Sequence, residues 1–143
     1  MEVIIAKTEK ERNDAFAIRK IVFVEEQNVP LELEMDEFDE EATHFVLYDH
    51  HEPIGAARFR TLDANGTQGK IERVCILAPF RNRGLGKMLI EKIIEHARQE
   101  GIQKVKLNAQ THAISFYEKL GFTVISDEFI DAGIPHRTME KTL

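Results

Sequence analysis

Tryptophan is missing from the 143-residue chain, cysteine occurs once, and there are only four prolines and eight glycines. A lone cysteine, Cys75, cannot close an internal disulfide, so a packed core must hold the fold together. No apolar run approaches the ~20 residues of a membrane-spanning helix, and no basic start followed by an apolar stretch reads as a signal peptide. No linker, repeat or low-complexity tract interrupts the chain. With 43% apolar residues, it is too hydrophobic for a disordered segment and long enough to bury roughly two thirds of its unfolded surface. The expectation is a single soluble, cytoplasmic domain over residues 1–143 that does not bind membranes.

Positive charge is also in short supply, with 19 Lys and Arg against 25 Asp and Glu for a net −6. Seven of those acids (Glu32, Glu34, Asp36, Glu37, Asp39, Glu40, Glu41) fall within ten residues; outside them 18 acids face 19 bases. A nearly neutral body with one acidic block argues against a nucleic-acid-binding surface. The block reads either as a solvated face or as a pole that steers a cationic molecule.

Residues 1–7 read as a strand, and Thr8 with Glu11 three residues later forms a capping-box pattern ahead of a helix carrying Ala15, Phe16, Ile18, Arg19, Val22 and Phe23. Asn28-Val29-Pro30 ends it, and the acidic block predicts a short or irregular surface element. Residues 45–48, 54–59 and 70–77 then alternate or run apolar between turn signals, which predicts three antiparallel strands. Leu85, Met88, Leu89, Ile93 and Ala97 mark one face of a helix stopped by Gly101. A strand over 104–107 follows, then a short helix with Thr111 as its cap, and two further extended segments around 122–125 and 136–139. The pattern is an α/β fold of the α+β type.

Between the third strand of that meander and the long helix lies Arg81-x-x-Gly84-x-Gly86. The first N–H groups of a helix lack internal partners and sit at the positive end of its dipole, and glycine lets an anion approach them. Lys70, Arg73, Arg81, Arg83 and Lys87 surround the loop, against Glu72 alone. A dinucleotide fingerprint would need glycine at Leu89, and a Walker A loop would need glycine at Arg81 and Ser or Thr at Met88. The plain alternative is a tight strand-to-helix turn.

Arg81-x-x-Gly84-x-Gly86 resembles the acetyl-coenzyme A motif of the GNAT N-acetyltransferases, and Ala113-Ile114-Ser115-Phe116-Tyr117-Glu118-Lys119-Leu120-Gly121-Phe122 resembles their later motif. Val22 to Gln27, Val29-Pro30, Asn108-Ala109-Gln110 and Asp131 to His136 are similar to the YjcF/ElaA-like subgroup. The resemblance implies a mixed, mostly antiparallel sheet flanked by helices, the acyl-CoA N-acyltransferase fold. It also implies acetyl-CoA as acetyl-donor co-substrate and a small-molecule or peptide amine as acceptor; a monomer or homodimer is expected, and no metal, since His44, His50, His51, His96 and His112 show no metal-ligand pairing. By resemblance the pyrophosphate rests on Arg81, Asn82, Arg83, Gly84, Leu85, Gly86 and Lys87, and the pantetheine arm meets main chain around Val74, Cys75 and Ile76 where two strands splay. Asn108 and Gln110 are cofactor candidates, although many relatives carry Asn at the position of Gln110. Glu26 and Gln27 are candidates for the acceptor side.

Acetyl transfer to an amine needs a neutral nucleophile, donors for the oxyanion and a proton for the departing thiolate. Tyr117 is the candidate proton donor. Glu72 and His136 compete as base: Glu72 is the acid on the strand beside the basic loop, expected by strict alternation on one face with Val74 and Ile76, and histidine titrates in a suitable range. Backbone N–H near Cys75 and Ile76 is the oxyanion candidate, and the Cys75 thiol reads as buried and inert. The other histidines show no pairing. An acyl-CoA-binding regulator without catalysis is the alternative reading.

Overall fold

The computed structural model describes residues 1–143. Eight strands form one sheet: β1 (Glu2–Ile5), β2 (Thr43–Asp49), β3 (Glu52–Thr61), β4 (Gln68–Ile76), β5 (Lys104–Gln110), β6 (Thr123–Val124), β7 (Phe129–Asp131) and β8 (Ile134–Thr142). The helices are α1 (Glu9–Arg19), α2 (Leu31–Glu34), α3 (Leu85–Gln99) and α4 (Ile114–Lys119). The path across the sheet is β1-β2-β3-β4-β5-β8-β6, with β7 hairpinned on β8, and β4–β5 is the one parallel pair. A parallel neighbour needs a crossover, and α3 supplies it.

Local chemistry explains most elements. Thr8 accepts from the Glu11 N–H at 3.1 Å while the Glu11 carboxylate accepts from the Thr8 N–H at 3.2 Å, the reciprocal cap that starts α1. Leu85, Leu89, Ile90, Ile93, Ile94 and Ala97 bury one face of α3 against Phe45, Leu47, Phe59, Ile71, Val105 and Leu107. The opposite sheet face packs Val46, Ala56 and Cys75 on Ala15, Ile18 and Val22.

Four features depart from the sequence reading. Residues Lys20–Glu26 continue α1 as a π-helix, whose wider turn changes the direction of the side chains beyond Arg19. Thr111 opens a 3₁₀ turn rather than capping α4, and its hydroxyl donates to Glu128 at 3.0 Å. The short β7 has no periodicity signal of its own and forms because the Ala132-Gly133 turn, with φ of 51° and 79°, folds it onto β8. The fourth concerns the acidic block, three of whose seven acids are drawn into ion pairs with buried arginines.

Arg19 and Arg58 are fully buried. Arg19 donates to Glu34 at 2.8 Å and Asp39 at 2.7 Å; Arg58 pairs with Asp39 at 2.9 Å and Glu72 at 3.0 Å and also holds Asp36. Arg73 reaches Glu34 and Asp36, and Arg60 donates to Glu72 at 2.7 Å. Glu34, Asp36 and Asp39 thereby fasten residues 31–39 onto β3 and β4, while Glu32, Glu37, Glu40 and Glu41 face solvent. Burial alone would raise the carboxyl groups of Asp36, Asp39 and Glu72, but hydrogen bonds and charges from the arginines outweigh it and hold all three below their ordinary values. For Glu34 burial prevails and pushes its carboxyl up despite Arg73 and Arg19.

Removing one partner of a buried pair leaves the other charge uncompensated. Arg19→Ala is expected to lower unfolding free energy by about 3–5 kcal/mol, read as a fall in urea midpoint. Groups with depressed native pKa contribute stability above their unfolded values, 3.8 for Asp and 4.5 for Glu, and lose it as pH falls through the native ones. Asp36, Asp39 and Glu72 act in that direction and Glu34 in the opposite one, so the urea midpoint should drop on acidification below pH 4.5 and drop less in Arg58→Met.

Candidate active site

The parallel pairing of β4 with β5 runs from Gln68–Lys104 to Ile71–Leu107 and stops there, although both strands continue. Their C-terminal halves diverge. The β5-facing edge of β4 from Glu72 onward therefore has no partner strand, and its main chain is open to a ligand. A cleft of about 670 Å³ fills the gap, lined among others by Val74, Ile76, Asn108, Phe116, Tyr117 and His136.

A β-bulge shapes the near wall. The β3–β4 register shifts between Ala56–Cys75 and Arg58–Glu72, and Arg73 takes φ of 58°. One extra residue reverses the alternation. Val74 and Ile76 consequently pack with Ile71 on the α3 side, whereas Glu72 joins Arg58 on the face covered by α1. The expected common face of Glu72, Val74 and Ile76 is thus corrected: alternation cannot continue through a bulge.

At one end of the cleft lies the glycine loop. Gly84 has φ of 76° and precedes α3 without a side-chain cap. The first helical hydrogen bond runs from the Met88 N–H to the Gly84 carbonyl at 3.2 Å, so the N–H groups of Leu85, Gly86 and Lys87 have no helical acceptor. A Cβ on Gly86 would stand 3.2 Å from the Phe116 ring, so glycine there lets α3 and α4 meet. These amides, at the positive end of a 15-residue helix, fit a phosphate-bearing ligand. The side-chain bases contribute less than the sequence suggests. Arg81 donates to the Ile76 carbonyl at 2.8 Å and is clamped bidentately by Glu26, Lys87 approaches Glu91 at 3.8 Å, and Arg83 stacks over Phe80. Asn82, with φ of 64°, lines the cleft together with Arg81, Gly84, Leu85 and Gly86; Arg83 and Lys87 do not.

Tyr117 and His136 also line the cleft. The Tyr117 ring is wedged edge-on against Phe116 and Phe122, its hydroxyl has no partner within the chain, and burial pushes the phenol up, so it keeps its proton. His136 on β8 stacks on Phe129 and places Nδ1 2.7 Å from the Ile134 carbonyl. A carbonyl only accepts, so Nδ1 carries a proton, and in the neutral ring Nε2 is the nitrogen with the lone pair. Asn108 accepts from Thr138 at 2.8 Å. Gln110 donates to Gln27 at 2.9 Å and accepts from His112 Nε2 at 2.8 Å, which ties the end of the π-helix to the start of α4.

Gln27 therefore stands at the cleft, whereas Glu26 is turned away from it and held below its ordinary pKa, chiefly by the hydrogen bond from Arg81. Sequence reasoning missed His112, which looked isolated because its partner Gln110 is recognisable only once β5 is known to end there. It also missed Arg19 and Arg58, whose signal was present: each is an arginine on an otherwise apolar inward face. Cys75 is buried with Sγ 3.8 Å from the Ala56 carbonyl, and burial pushes its thiol up to about 12. No three His, Cys, Asp or Glu side chains come together as a metal-binding group.

Residues 9–143 match the model of the acetyltransferase (GNAT) domain. The chain belongs to the GNAT family of N-acetyltransferases. It is 46% identical over 142 residues to the uncharacterized N-acetyltransferase YjcF of Bacillus subtilis, covering 99% of both chains. Among solved structures, a putative N-acetyltransferase from Lactobacillus plantarum superposes with a TM-score of 0.91 at 29% identity, covering 99% of this chain and 97% of that one. An aminoglycoside 6'-N-acetyltransferase complexed with coenzyme A shares the GNAT fold at a TM-score of 0.80 and 15% identity, over 99% and 97% of the two chains.

The burial of Cys75 has a direct consequence for thiol chemistry, because only the thiolate attacks disulfide reagents. The native protein is expected to release almost no chromophore from an aromatic disulfide reagent at pH 8, and one equivalent per chain after denaturation in urea. Rapid native reaction would contradict the placement of Cys75.

Proposed function

We propose that this GNAT protein transfers the acetyl group of acetyl-CoA directly to a primary amine of a small molecule or peptide. The observation that carries the reading is the convergence of the free β4 edge, the open N-terminus of α3 and the unpartnered Tyr117 hydroxyl on one cleft. Acetyl-CoA supplies an activated thioester when bound. The amides of Leu85, Gly86 and Lys87 hold its anionic portion, and the β4 edge from Val74 to Ile76, with Asn108 opposite, receives its extended arm. Backbone N–H on that edge polarises the carbonyl. The reaction with an amine then runs through two proton positions: His136 Nε2 takes a proton from the attacking nitrogen, and the Tyr117 hydroxyl gives one to the departing sulfur.

Glu72 fits the role of base less well than His136. Its carboxylate is engaged by Arg58, Arg60 and Lys70 and held below the ordinary range, which makes it a poor proton acceptor near neutral pH. We assign it instead to fixing those cations beneath the cleft. Gln27 and Gln110 line the acceptor side through their mutual hydrogen bond.

Thiol release from acetyl-CoA across a panel of amines tests the activity. Coenzyme A binding without release on any acceptor would favour a non-catalytic acyl-CoA-binding protein. Tyr117→Phe should lower kcat by roughly 10²-fold with little change in acetyl-CoA affinity. His136→Ala should lower kcat/KM by a similar factor, and Glu72→Gln should lower it far less. The reverse order of the two losses would return the role of base to Glu72.

A further inference from the structure

The acceptor side of the cleft is more cationic than the composition suggests. Glu34 and Glu72 line it and Asp36 and Asp39 belong to the same ion-pair network, and each of the four is already paired with Arg19, Arg58, Arg60 or Arg73. Lys70 is the fifth cation of this group and reaches only Glu72 Oε2, at 3.5 Å. Five cations thus face four carboxylates. Glu72 Oε1 is shared by Arg58 and Arg60, so little of its charge remains for Lys70.

The surplus is exposed to the cleft. Lys70 and Arg73 both line it, with 23% and 22% of their side chains accessible. Arg73 faces this way because the bulge rotates it out of the α3 core, as its bonds to the Leu33 carbonyl at 3.1 Å and Asp36 at 3.2 Å record. Nη2 makes both of those contacts, Nε donates toward Glu34 with its carboxylate at 3.0 Å, and Nη1 has no partner in the chain. Phe23, Val29 and Leu33 supply an apolar wall beside them. The one carboxylate of the cleft without a cation partner, Asp131, stands at the exposed tip of the β7–β8 hairpin across the mouth.

We infer that the amine acceptor carries a carboxylate, held by Lys70 and the free face of Arg73, so that a small amino acid rather than a polyamine is the substrate class. The inference rests on the acetyl-transfer reading and deepens it. A polycation would meet surplus positive charge where it must bind, at a cost that grows in a partly desolvated site. An acceptor with both charges would set its carboxylate on Lys70 and Arg73 and leave its amine toward His136, which lines the same cleft.

The test compares matched acceptors that differ only in the anionic group (leucine, leucinamide and 3-methylbutylamine; the same triplet for phenylalanine) and, as a polycation, spermidine, each with acetyl-CoA under a thiol-release readout. At least one free amino acid should exceed its amide and its decarboxylated amine by tenfold or more in kcat/KM. Lys70→Gln should raise KM for that amino acid about tenfold while leaving KM for the amide unchanged, and Lys70→Arg should restore it. A purely structural role for Lys70 would shift both acceptors together and would overturn the inference. Equal or better turnover of amides, decarboxylated amines or spermidine would also overturn it while leaving acetyl transfer standing. Absence of thiol release with every acceptor would instead defeat the acetyl-transfer reading, and the inference with it.

Discussion

Four residue pairs join β4 to β5, and the ladder then ends while both strands run on. Every other feature of the site depends on that interruption. A continued ladder would close the sheet and satisfy the β4 edge within the protein. The open edge leaves polar main chain that needs a partner, beside a cleft bordered by the N-terminus of α3 and by α4. The bulge at Arg73 is the second half of the same device: it ends the regular alternation of β4 and divides apolar Val74 and Ile76 from the charged side chains facing α1.

The charged side is held by a network that exchanges solvation for fixed geometry. Two fully buried guanidinium groups, Arg19 and Arg58, bind carboxylates from residues 34–39 and from Glu72. Such pairs add little net stability over an apolar core, because both ions lose water. Their effect here is positional. Residues 31–39 hold too few buried apolar side chains to dock by hydrophobic contact alone, and the arginines fix them as one wall of the cleft. An overall charge of −6 therefore coexists with an ion-pair network beside the cleft in which five cations meet four carboxylates.

Much of this was legible from the amino-acid order. The capping box at Thr8, the alternation of β2 to β4, the face of α3 and the Gly84-x-Gly86 loop each have a local cause. The resemblance carried by Arg81 to Gly86 and by Ala113 to Phe122 led to the family. What sequence could not show is non-local. Nothing in residues 72–76 announces the bulge, so strict alternation misplaced Glu72. The acidic block looked solvated because its partners, Arg19, Arg58 and Arg73, lie at distant positions in the chain. Glu26 looked available for an acceptor until Arg81, 55 residues away, took both its oxygens. His112 gained a role only through Gln110.

On the proposed function, the open β4 edge and the first turn of α3 together receive one extended anionic ligand. Hydrogen–deuterium exchange with and without coenzyme A tests this most directly, because it reads those same amides. Slower exchange confined to peptides covering residues 72–77 and 82–88, with the β2–β3 hairpin unchanged, is the predicted result. Protection elsewhere, or protection of the helix turn alone while the β4 edge exchanges as before, would contradict it.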